Sequence, residues 1–448
     1  LPKNVPLAVD TPMDQSCYVP QACLFIDVSF KELLQAYLSV FVRKSRTKLL
    51  ASIVKSWPSQ QRQSPNVLVT LSVRSALDLY FQVKKFPRGS QVIMSAVNIP
   101  DMSAVCRHHG LVPVPIDVSV DTLAPRIDLL HRAVNAKTVA VLVAHIFGRR
   151  FDMQPIIDAC KRHSLEVIED CAEAFAGSEY TGHPDSDLAL FSFGSIKTST
   201  SFGGGICRVR SDDVFEGMRQ LNDKYAVLPT NAFLFKCLKN TVVMATLNSP
   251  LGQHLLTYVL HAVNFDHKVC AERSQALQAW VVSKIRGFPG DLIQTLRHRP
   301  AAPMLDMLHR RLNSFDRRGF QRGTTNGDYV ANKLNSATVV IPGFNAYVRN
   351  YWLFPILVED PLAVQNRLNK LGIDAYRGIT QLALVESSAA EMARPLTPYD
   401  SPAKSEETKT TNTSSPAFDF PADARYMMDH IIYLPVHKKV PQHELDRI

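Results

Sequence analysis

The stretch from Val167 to Gly205 decides the fold, because two apolar runs in it each lead into chemically active side chains. It reads Val167-Ile-Glu-Asp-Cys-Ala-Glu-Ala-Phe175, then Phe191-Ser-Phe-Gly-Ser-Ile-Lys-Thr198, and it ends in three glycines at 203–205. The pattern predicts that Asp170 ends one strand and that Lys197 follows another. Ligands bind α/β sheets at the carboxyl ends of strands, so we expect an acid and an amine in one site.

Short β-rich runs alternate with helical segments on both sides of this stretch. The runs are 67–70, 92–97, 112–116, 139–145, 165–169, 188–193 and 206–209. Helical spacing of apolar residues lies between them at 76–86, 102–109, 127–133 and 153–163. Nearly continuous apolar strands separated by helices are typical of a parallel sheet covered on both faces. The sequence therefore predicts an α/β fold whose mostly parallel sheet is sandwiched by helices.

Composition divides the chain into three parts. Residues 1–62 form an N-terminal region, 63–320 the large domain, and 321–448 a smaller C-terminal α+β domain. An apolar helical insertion interrupts the large domain at about 225–290. In the small domain, residues 386–416 are rich in Ser, Thr, Pro and charge, which predicts a disordered loop.

The overall composition excludes several classes of protein. Hydrophobic residues make up 46%, charged residues 20%, and the net charge is +9, as in ordinary soluble domains. The basic residues lack interleaved aromatics, so we expect an anionic small-molecule substrate rather than a nucleic acid. The eight scattered cysteines predict neither a metal site nor a disulfide framework, which favours the reducing cytoplasm. Because the chain begins at Leu1, a targeting segment could precede it.

The insertion is the most apolar part of the chain. Its run from 232 to 265 is interrupted by polar residues and does not reach the length of a membrane span. We expect two amphipathic helices that cover a groove or a dimer partner. Contact with a membrane surface or a lipidic substrate is the less favoured alternative.

The residues around Lys197 are those that an aldehyde cofactor with a pyridine ring and a phosphate requires. A lysine that loses its proton can form a Schiff base, and a carboxylate such as Asp170 can keep a pyridine nitrogen protonated. Asp170 could equally cap a following helix. Glu173 could contact the phenolic oxygen of the ring, or serve only the first turn of that helix. We therefore predict a pyridoxal 5'-phosphate site in which Lys197 and Asp170 are catalytic.

Candidate phosphate ligands lie in two places. Arg74 and Ser75 stand where a strand gives way to a helix, and a helix N-terminus attracts anions. No Gly-rich nucleotide fingerprint accompanies them, so this signal is weak and Ser75 could be a routine cap. Ser192, five residues before the lysine, is a second candidate hydroxyl. His145 ends another strand and could shape the site, although we favour a hydrogen-bonded core histidine.

Two motifs resemble a known family. Glu-Asp-Cys-Ala-Glu-Ala (169–174) and Phe-Ser-Phe-x-x-x-Lys (191–197) with trailing glycines resemble the DegT/StrS sugar aminotransferases. The resemblance extends through 110–117, 144–153 and 433–436, with a poorly matching middle. It implies an aspartate-aminotransferase-like fold of type I, a homodimer with active sites at its interface, and pyridoxal phosphate as cofactor. It also implies transfer of an amino group from a donor such as glutamate to a keto group on a sugar, usually nucleotide-linked, through a Lys197 aldimine.

The resemblance assigns a role to each candidate residue. Asp170 would hold the pyridinium and Glu173 the phenolic oxygen, while Ser192 and the amides around Arg74 and Ser75 would hold the phosphate. Lys197 would also move the proton between substrate and cofactor. Relatives that perform dehydration replace this lysine with histidine, which argues against dehydration here.

Two positions depart from the family pattern. Ile99 stands where the family usually offers an aromatic ring to stack on the cofactor. Arg297 stands where the family has an asparagine that reaches the partner's phosphate, so it could bind that phosphate from the partner subunit or be a solvated arginine. Two alternatives stay open: a transaminase for a lipidic or other non-sugar ketone, and a non-catalytic relative that binds cofactor and regulates.

Overall fold

The computed structural model describes residues 21–58, 66–248, 291–378, 380–393, 396–399 and 421–448. In the N-terminal region α1 spans Phe30–Phe41 and α2 spans Arg46–Ser56. Ser29 and Ser45 precede them, and each side chain accepts a hydrogen bond from an N–H of the first helical turn. These caps explain why both helices begin where they do.

Strands and helices alternate through the large domain. Its strands are β1 (Val67–Thr70), β2 (Gln91–Ser95), β3 (Val97–Asn98), β4 (Val112–Ile116), β5 (Thr138–Ala144), β6 (Arg149–Arg150), β7 (Glu166–Asp170), β8 (Leu188–Ser192), β9 (Gly205–Val209), β10 (Ala226–Val227) and β11 (His298–Arg299). Its helices are α3 (Val73–Lys84), α4 (Pro100–His108), α5 (Ile127–Ala133), α6 (Gln154–Arg162), α7 (Asp212–Lys224), α8 (Thr230–Leu247), α9 (Leu292–Leu296) and α10 (Ala302–Asn313).

The main sheet of the described residues has seven strands in the order β1-β9-β8-β7-β5-β2-β4. Neighbouring strands from β8 to β4 are parallel, and β9 runs antiparallel to both β8 and β1. In β7, Asp170 lies opposite Ala144 of β5 and Leu190 of β8. The carboxyl ends of these three strands therefore meet at one edge, and the predicted mostly parallel α/β sheet is confirmed.

Apolar side chains cover both faces of this sheet. Ile93, Val141 and Val143 pack with α5 and α6, whereas Val92 and Leu142 on the opposite face pack with α3, α4 and α7. Adjacent residues thus point to opposite faces and both are buried, as the pleat of a doubly covered sheet requires. This double burial explains why the strands read as continuous apolar runs.

The C-terminal part has a smaller core of its own. Its elements are α11 (Arg317–Leu334), β12 (Val348–Arg349), β13 (Phe354–Leu357), α12 (Pro361–Lys370), β14 (Ala383–Leu384), α13 (Ala389–Ala393), α14 (Ala422–His430), β15 (Ile431–Leu434) and α15 (Gln442–Leu445). Strands β13 and β15 pair antiparallel, and their buried side chains pack with Val330 and Ala331 of α11. The boundary expected after residue 320 falls inside α11, since that helix begins at Arg317.

Two expected surface segments are described in part. Of the insertion at about 225–290, residues 249–290 lie outside the described residues, and the rest forms β10 and α8. Of the expected disordered loop, residues 400–416 lie outside as well. Its described beginning differs from that expectation, because it contains α13 and a β-bridge between Arg88 and Thr397. Among the helices that the structure describes, none combines the length and the hydropathy of a membrane span.

Candidate active site

A cavity opens at the sheet edge where β5, β7 and β8 end and α3 begins. Six of the eight candidate residues line it: Arg74, Ile99, Asp170, Glu173, Ser192 and Lys197. His145, Ser72, Gly203, Gly204 and Lys236 line it as well. Ser75 and Arg297 are not among its lining residues in the described part of the chain. The structure thus brings most of the candidates together in one place.

Lys197 projects into this cavity from a tight loop after β8. Its Nζ donates a hydrogen bond to Glu173 Oε1 at 3.0 Å, and its side chain is 12% exposed. The loop folds back on the strand, because the N–H groups of Ser201 and Gly203 both donate to the Phe193 carbonyl at 3.0 Å. The positive φ of Gly204, 92°, is a conformation that glycine adopts without strain. The glycines therefore let the loop close and hold the lysine in place.

Trp352 of the C-terminal part completes the surroundings of the lysine, and sequence reasoning missed it. The centroid of its ring lies 3.8 Å from Lys197 Nζ, the geometry of a cation–π contact. Its Nε1 donates to the Ile196 carbonyl at 2.8 Å, which fixes the ring beside the loop. Nothing in the sequence near Trp352 signals this contact, because the two residues meet only when the two cores pack.

Asp170 ends β7 with its carboxylate at the cavity. The residue is 5% exposed, and burial raises its pKa to about 6, although the Ala172 N–H and the charge of Lys197 oppose this shift. Its Oδ1 accepts from the Ala172 N–H at 2.9 Å. Residues 171–187, all of which the structure describes, form turns rather than the helix that a capping role requires. A cation beside this carboxylate would stabilise its ionised form.

Glu173 bridges two parts of the site. Its Oε1 accepts from Lys197 and its Oε2 accepts from the Phe147 N–H at 2.9 Å. Phe147 has a φ of 59°, so the turn after β5 is bent to present this N–H. The alternative role in a first helical turn fails here, since no helix follows Asp170 in residues 171–187. Glu173 instead orients the Lys197 amine.

His145 lines the cavity and belongs to a buried hydrogen-bond cluster. Its Nε2 lies 3.0 Å from Glu169 Oε1, and both side chains are fully buried. Glu169 also accepts from the Tyr180 hydroxyl, the His183 N–H and the Ser186 hydroxyl. Burial raises the pKa of Glu169, but these hydrogen bonds outweigh it and leave that pKa at about 2. The favoured interpretation of His145 as a hydrogen-bonded core residue agrees with this geometry.

The side chains of this cluster are spaced as metal ligands could be, which the sequence did not predict. Donor atoms of His145, Glu169 and Cys171 lie within 4.8 Å of one another, close enough for ligands of one metal ion. The Glu169 oxygens, however, already accept from four protein donors besides the thiol of Cys171. Burial and the neighbouring Glu169 raise the pKa of that thiol, which disfavours the thiolate that a metal binds. We therefore assign the cluster a structural role.

Two basic residues, Arg74 and Lys236, line the cavity near the start of α3. Ser72 caps α3, because its side chain accepts from the Ser75 N–H at 3.2 Å, and Arg74 follows in the first turn. Arg74 pairs with Asp101, and Lys236 comes from α8. Ser75 is buried, and its hydroxyl donates to the Leu296 carbonyl at 2.8 Å. Ser72, not Ser75, begins the helix at the cavity.

Arg297 makes an ion pair within its own chain. Its guanidinium makes two hydrogen bonds of 3.0 Å to the Asp78 carboxylate in its own chain. Asp78 is buried on α3 and also contacts His109 Nε2 at 2.9 Å. Burial raises the pKa of Asp78, but the hydrogen bonds from His109 and Arg297 outweigh it and lower that pKa. Arg297 is thus engaged in a buried ion pair within one subunit.

The structure places a lysine and carboxylates at the carboxyl edge of a mostly parallel, helix-covered sheet, within the α/β class of fold that the sequence predicted. Within that class, the chain belongs to the DegT/DnrJ/EryC1/StrS aminotransferase family, whose model matches residues 61–285.

Particular relatives resemble parts of the chain. The GDP-perosamine synthase of Vibrio cholerae is 31% identical over 155 residues, which are 34% of this chain and 42% of that protein. The dTDP-4-dehydro-2,6-dideoxy-D-glucose 3-dehydratase of Saccharopolyspora spinosa is 33% identical over 138 residues, 30% of each chain. The chain thus matches less than half the length of these curated relatives.

A solved structure resembles nearly the whole chain. The aminotransferase TlmJ from Streptoalloteichus hindustanus superposes with a TM-score of 0.62 at 15% identity, covering 95% of this chain and 96% of that one. At this identity the likeness establishes the fold and leaves the chemistry to the site residues.

Proposed function

We propose that this protein is a pyridoxal-phosphate-dependent aminotransferase that moves an amino group from an amino acid such as glutamate to a keto group on a sugar, in particular a nucleotide-linked sugar. The observation that carries the proposal is the convergence of Lys197, Asp170 and Glu173 in one cavity. An amine, a buried carboxylate and two basic residues match the aldehyde, the pyridine nitrogen and the phosphate of this cofactor in turn.

The donor chemistry of the cavity fits the cofactor. Asp170 would hold the protonated ring nitrogen, whose positive charge would favour the ionised carboxylate. Glu173 would face the phenolic oxygen, and Ile99 would lie against the ring as an apolar surface. Ser192 and the start of α3 at Arg74 would hold the phosphate. When bound, pyridoxal phosphate supplies an aldehyde for an amine and a ring that accepts electrons.

Lys197 would move the proton that transamination requires. Its Nζ would take a proton from the substrate carbon that bears the amino group and return a proton to a different atom. Glu173 holds Nζ by a hydrogen bond, and Trp352 covers it. Partial burial of the cavity limits the access of water, which would otherwise compete for the proton.

The proposal for the acceptor has two supports. Matched relatives are named as a GDP-perosamine synthase and a UDP-4-amino-4-deoxy-L-arabinose aminotransferase, names that refer to nucleotide-linked sugars. The net charge of +9 favours an anionic substrate such as a sugar linked to a nucleoside diphosphate. The dehydratase relative raises a competing reaction, which Lys197 disfavours.

The test is the visible spectrum of the purified protein before and after glutamate, followed by an incubation with a nucleotide-linked 4-keto sugar and ¹⁵N-glutamate. We expect a yellow protein that loses its colour with glutamate and transfers ¹⁵N to the sugar. The matched control is Lys197→Ala, which should show neither change. A protein that stays colourless after pyridoxal phosphate is added would refute the proposal.

A second candidate acceptor is a lipidic ketone, and one exposed apolar surface favours it. Helix α8 exposes Phe235, Leu238 and Val242, and the adjacent α1 exposes Phe30 and Leu34. The same helix reaches the cavity through Lys236, so an apolar substrate could approach along it. Transfer of ¹⁵N into a lipid extract, with none into the sugar, would favour this acceptor.

We also propose a cytoplasmic homodimer. The exposed apolar residues of α1 and α8 would be covered by a second copy of the chain, which supports dimerisation. Light scattering at several protein concentrations measures this directly. A monomer that floats with lipid vesicles would instead support the membrane alternative.

A further inference from the structure

Lys236 lies in the cavity although it comes from the insertion. It is on α8, between Phe233 and Cys237, which are fully buried and anchor that turn of the helix. A Cβ placed on Gly203 would lie 3.4 Å from Lys236 Nζ. The ammonium group of Lys236 therefore lies beside the glycine loop.

The charge environment of Lys236 is unusual for a lysine. Burial lowers its pKa to about 8, and the positive charges of Arg74 and Lys239 act in the same direction. Arg74 lines the same cavity, where it pairs with Asp101. An anion bound beside Lys236 and Arg74 would favour the charged form of Lys236.

The cavity offers further groups that favour an anion. Helix α3 has 12 residues, and its first turn, with Ser72, Val73 and Arg74, lines the cavity. A helix N-terminus carries partial positive charge and N–H donors. The Ser192 hydroxyl and the backbone of Gly203 and Gly204 complete the lining. Two carboxylates act on Arg74 as well, since it pairs with Asp101 and lies within the electrostatic reach of Asp170.

We infer that Lys236 binds the phosphate group of the cofactor, together with Arg74 and the start of α3, within a single chain. This inference rests on the proposed function and deepens it. It assigns a phosphate-binding charge to a residue other than Arg297, whose guanidinium pairs with Asp78 of its own chain. Lys236 accordingly makes the site selective for phosphorylated over unphosphorylated pyridoxal.

The test is titration of the cofactor-free protein with pyridoxal 5'-phosphate and with pyridoxal, followed by visible absorbance. In Lys236→Gln we expect the Kd for pyridoxal phosphate to rise roughly 10- to 100-fold, because a hydrogen bond between charged groups is lost. The Kd for pyridoxal, which lacks the phosphate, should change less than about twofold. Lys236→Arg keeps the charge and should restore most of the affinity.

Lys239→Gln is the matched control, because it removes the same charge from the same helix at a residue that does not line the cavity. It should leave both Kd values within about twofold of the wild type. Equal losses of affinity for the two ligands in Lys236→Gln would overturn the inference, because the lysine would then support the fold rather than the phosphate. An unchanged Kd for pyridoxal phosphate would also overturn it.

Borohydride reduction followed by peptide mapping locates the aldehyde. Attachment at Lys197 supports the inference. Attachment at Lys236 would overturn it, because Lys236 would then react with the aldehyde rather than bind the phosphate. Failure of the proposed function has a different signature. Wild-type protein that binds the cofactor at Lys197 yet does not react with any amino donor would refute the aminotransferase, while the two titrations would still decide the role of Lys236.

Discussion

Two sets of charged side chains line the cavity. Asp170 and Glu173 place carboxylates near Lys197, which we call the ring end. Arg74 and Lys236 place cations near the start of α3, which we call the phosphate end, and Asp101 pairs with Arg74 there. A ligand with a protonated ring nitrogen and a phosphate would be oriented by these charges before any bond forms. We therefore expect that the residues of the phosphate end orient the ligand and those of the ring end react with it. Substitutions at the two ends should then have different effects.

The largest effect is expected at the ring end. Lys197→Ala removes the amine that reacts with the aldehyde and moves the proton, so the rate of the glutamate half-reaction should fall by roughly a thousandfold or more. Single-turnover absorbance measures this rate. If the two ends act separately, Lys197→Ala should still bind pyridoxamine phosphate within about threefold of the wild-type Kd. A large loss of that binding would show that the ends are coupled.

Asp170→Asn should have the next largest effect. The amide cannot stabilise a protonated ring nitrogen as a carboxylate does, so the half-reaction should slow by roughly a hundredfold. The control is Asp158→Asn, an exposed position on α6, which should leave the rate unchanged. If Asp170→Asn kept the wild-type rate, this carboxylate would have no role in the reaction.

The same substitution should make the cofactor-free protein more stable at high pH. The pKa of Asp170 is about 6 when folded and 3.8 ordinarily, so its contribution to stability is full below pH 3.8 and is lost as the pH rises through 6. Asparagine avoids burying that charge. We expect Asp170→Asn to unfold at higher urea concentration at pH 8, by about 3 kcal/mol, and to match the wild type near pH 4. An equal difference at both pH values would exclude the carboxylate as the cause.

Arg297 tests whether the phosphate end is complete within one chain. Arg297→Gln leaves the buried Asp78 with one fewer hydrogen-bond partner, so the free energy of unfolding should fall by roughly 1–3 kcal/mol. The Kd for pyridoxal phosphate should change by less than about threefold. A larger loss of cofactor affinity without a loss of stability would restore the original expectation that Arg297 reaches the partner's phosphate.

The sequence could predict that Asp170, Ser192 and Lys197 lie near one another, because this depends on local patterns. Asp170 and Ser192 end apolar strands and Lys197 follows the second of them, and neighbouring parallel strands bring their carboxyl ends to one edge of the sheet. The chemistry therefore follows from the positions of the strands. The continuous apolar runs of these strands likewise predict that both faces of the sheet are buried.

The phosphate end could not be predicted in the same way. Lys236 lies in an apolar helix whose sequence does not reveal which side faces the cavity, and the direction is set by packing against α1 and α10. The pairing of Arg297 with Asp78 joins residues 219 positions apart, so no local pattern contains it. The helix is predicted to begin near Ser75 rather than at its true cap, Ser72, because serines at both positions could cap a helix.

Trp352 offers the smallest expected effect and joins the C-terminal part to the ring end. Trp352→Phe keeps an aromatic ring over the Lys197 amine but removes the Nε1 hydrogen bond to the Ile196 carbonyl. Because the lost hydrogen bond positions the loop rather than the reacting atoms, we expect the half-reaction to slow about threefold, with the Kd for pyridoxal phosphate unchanged. Trp352→Leu removes the cation–π contact as well and should slow it further. The loop after β8 carries Lys197 at its start and the glycines beside Lys236 at its end. If both variants instead weakened the binding of pyridoxal phosphate, this loop would couple the ring end to the phosphate end.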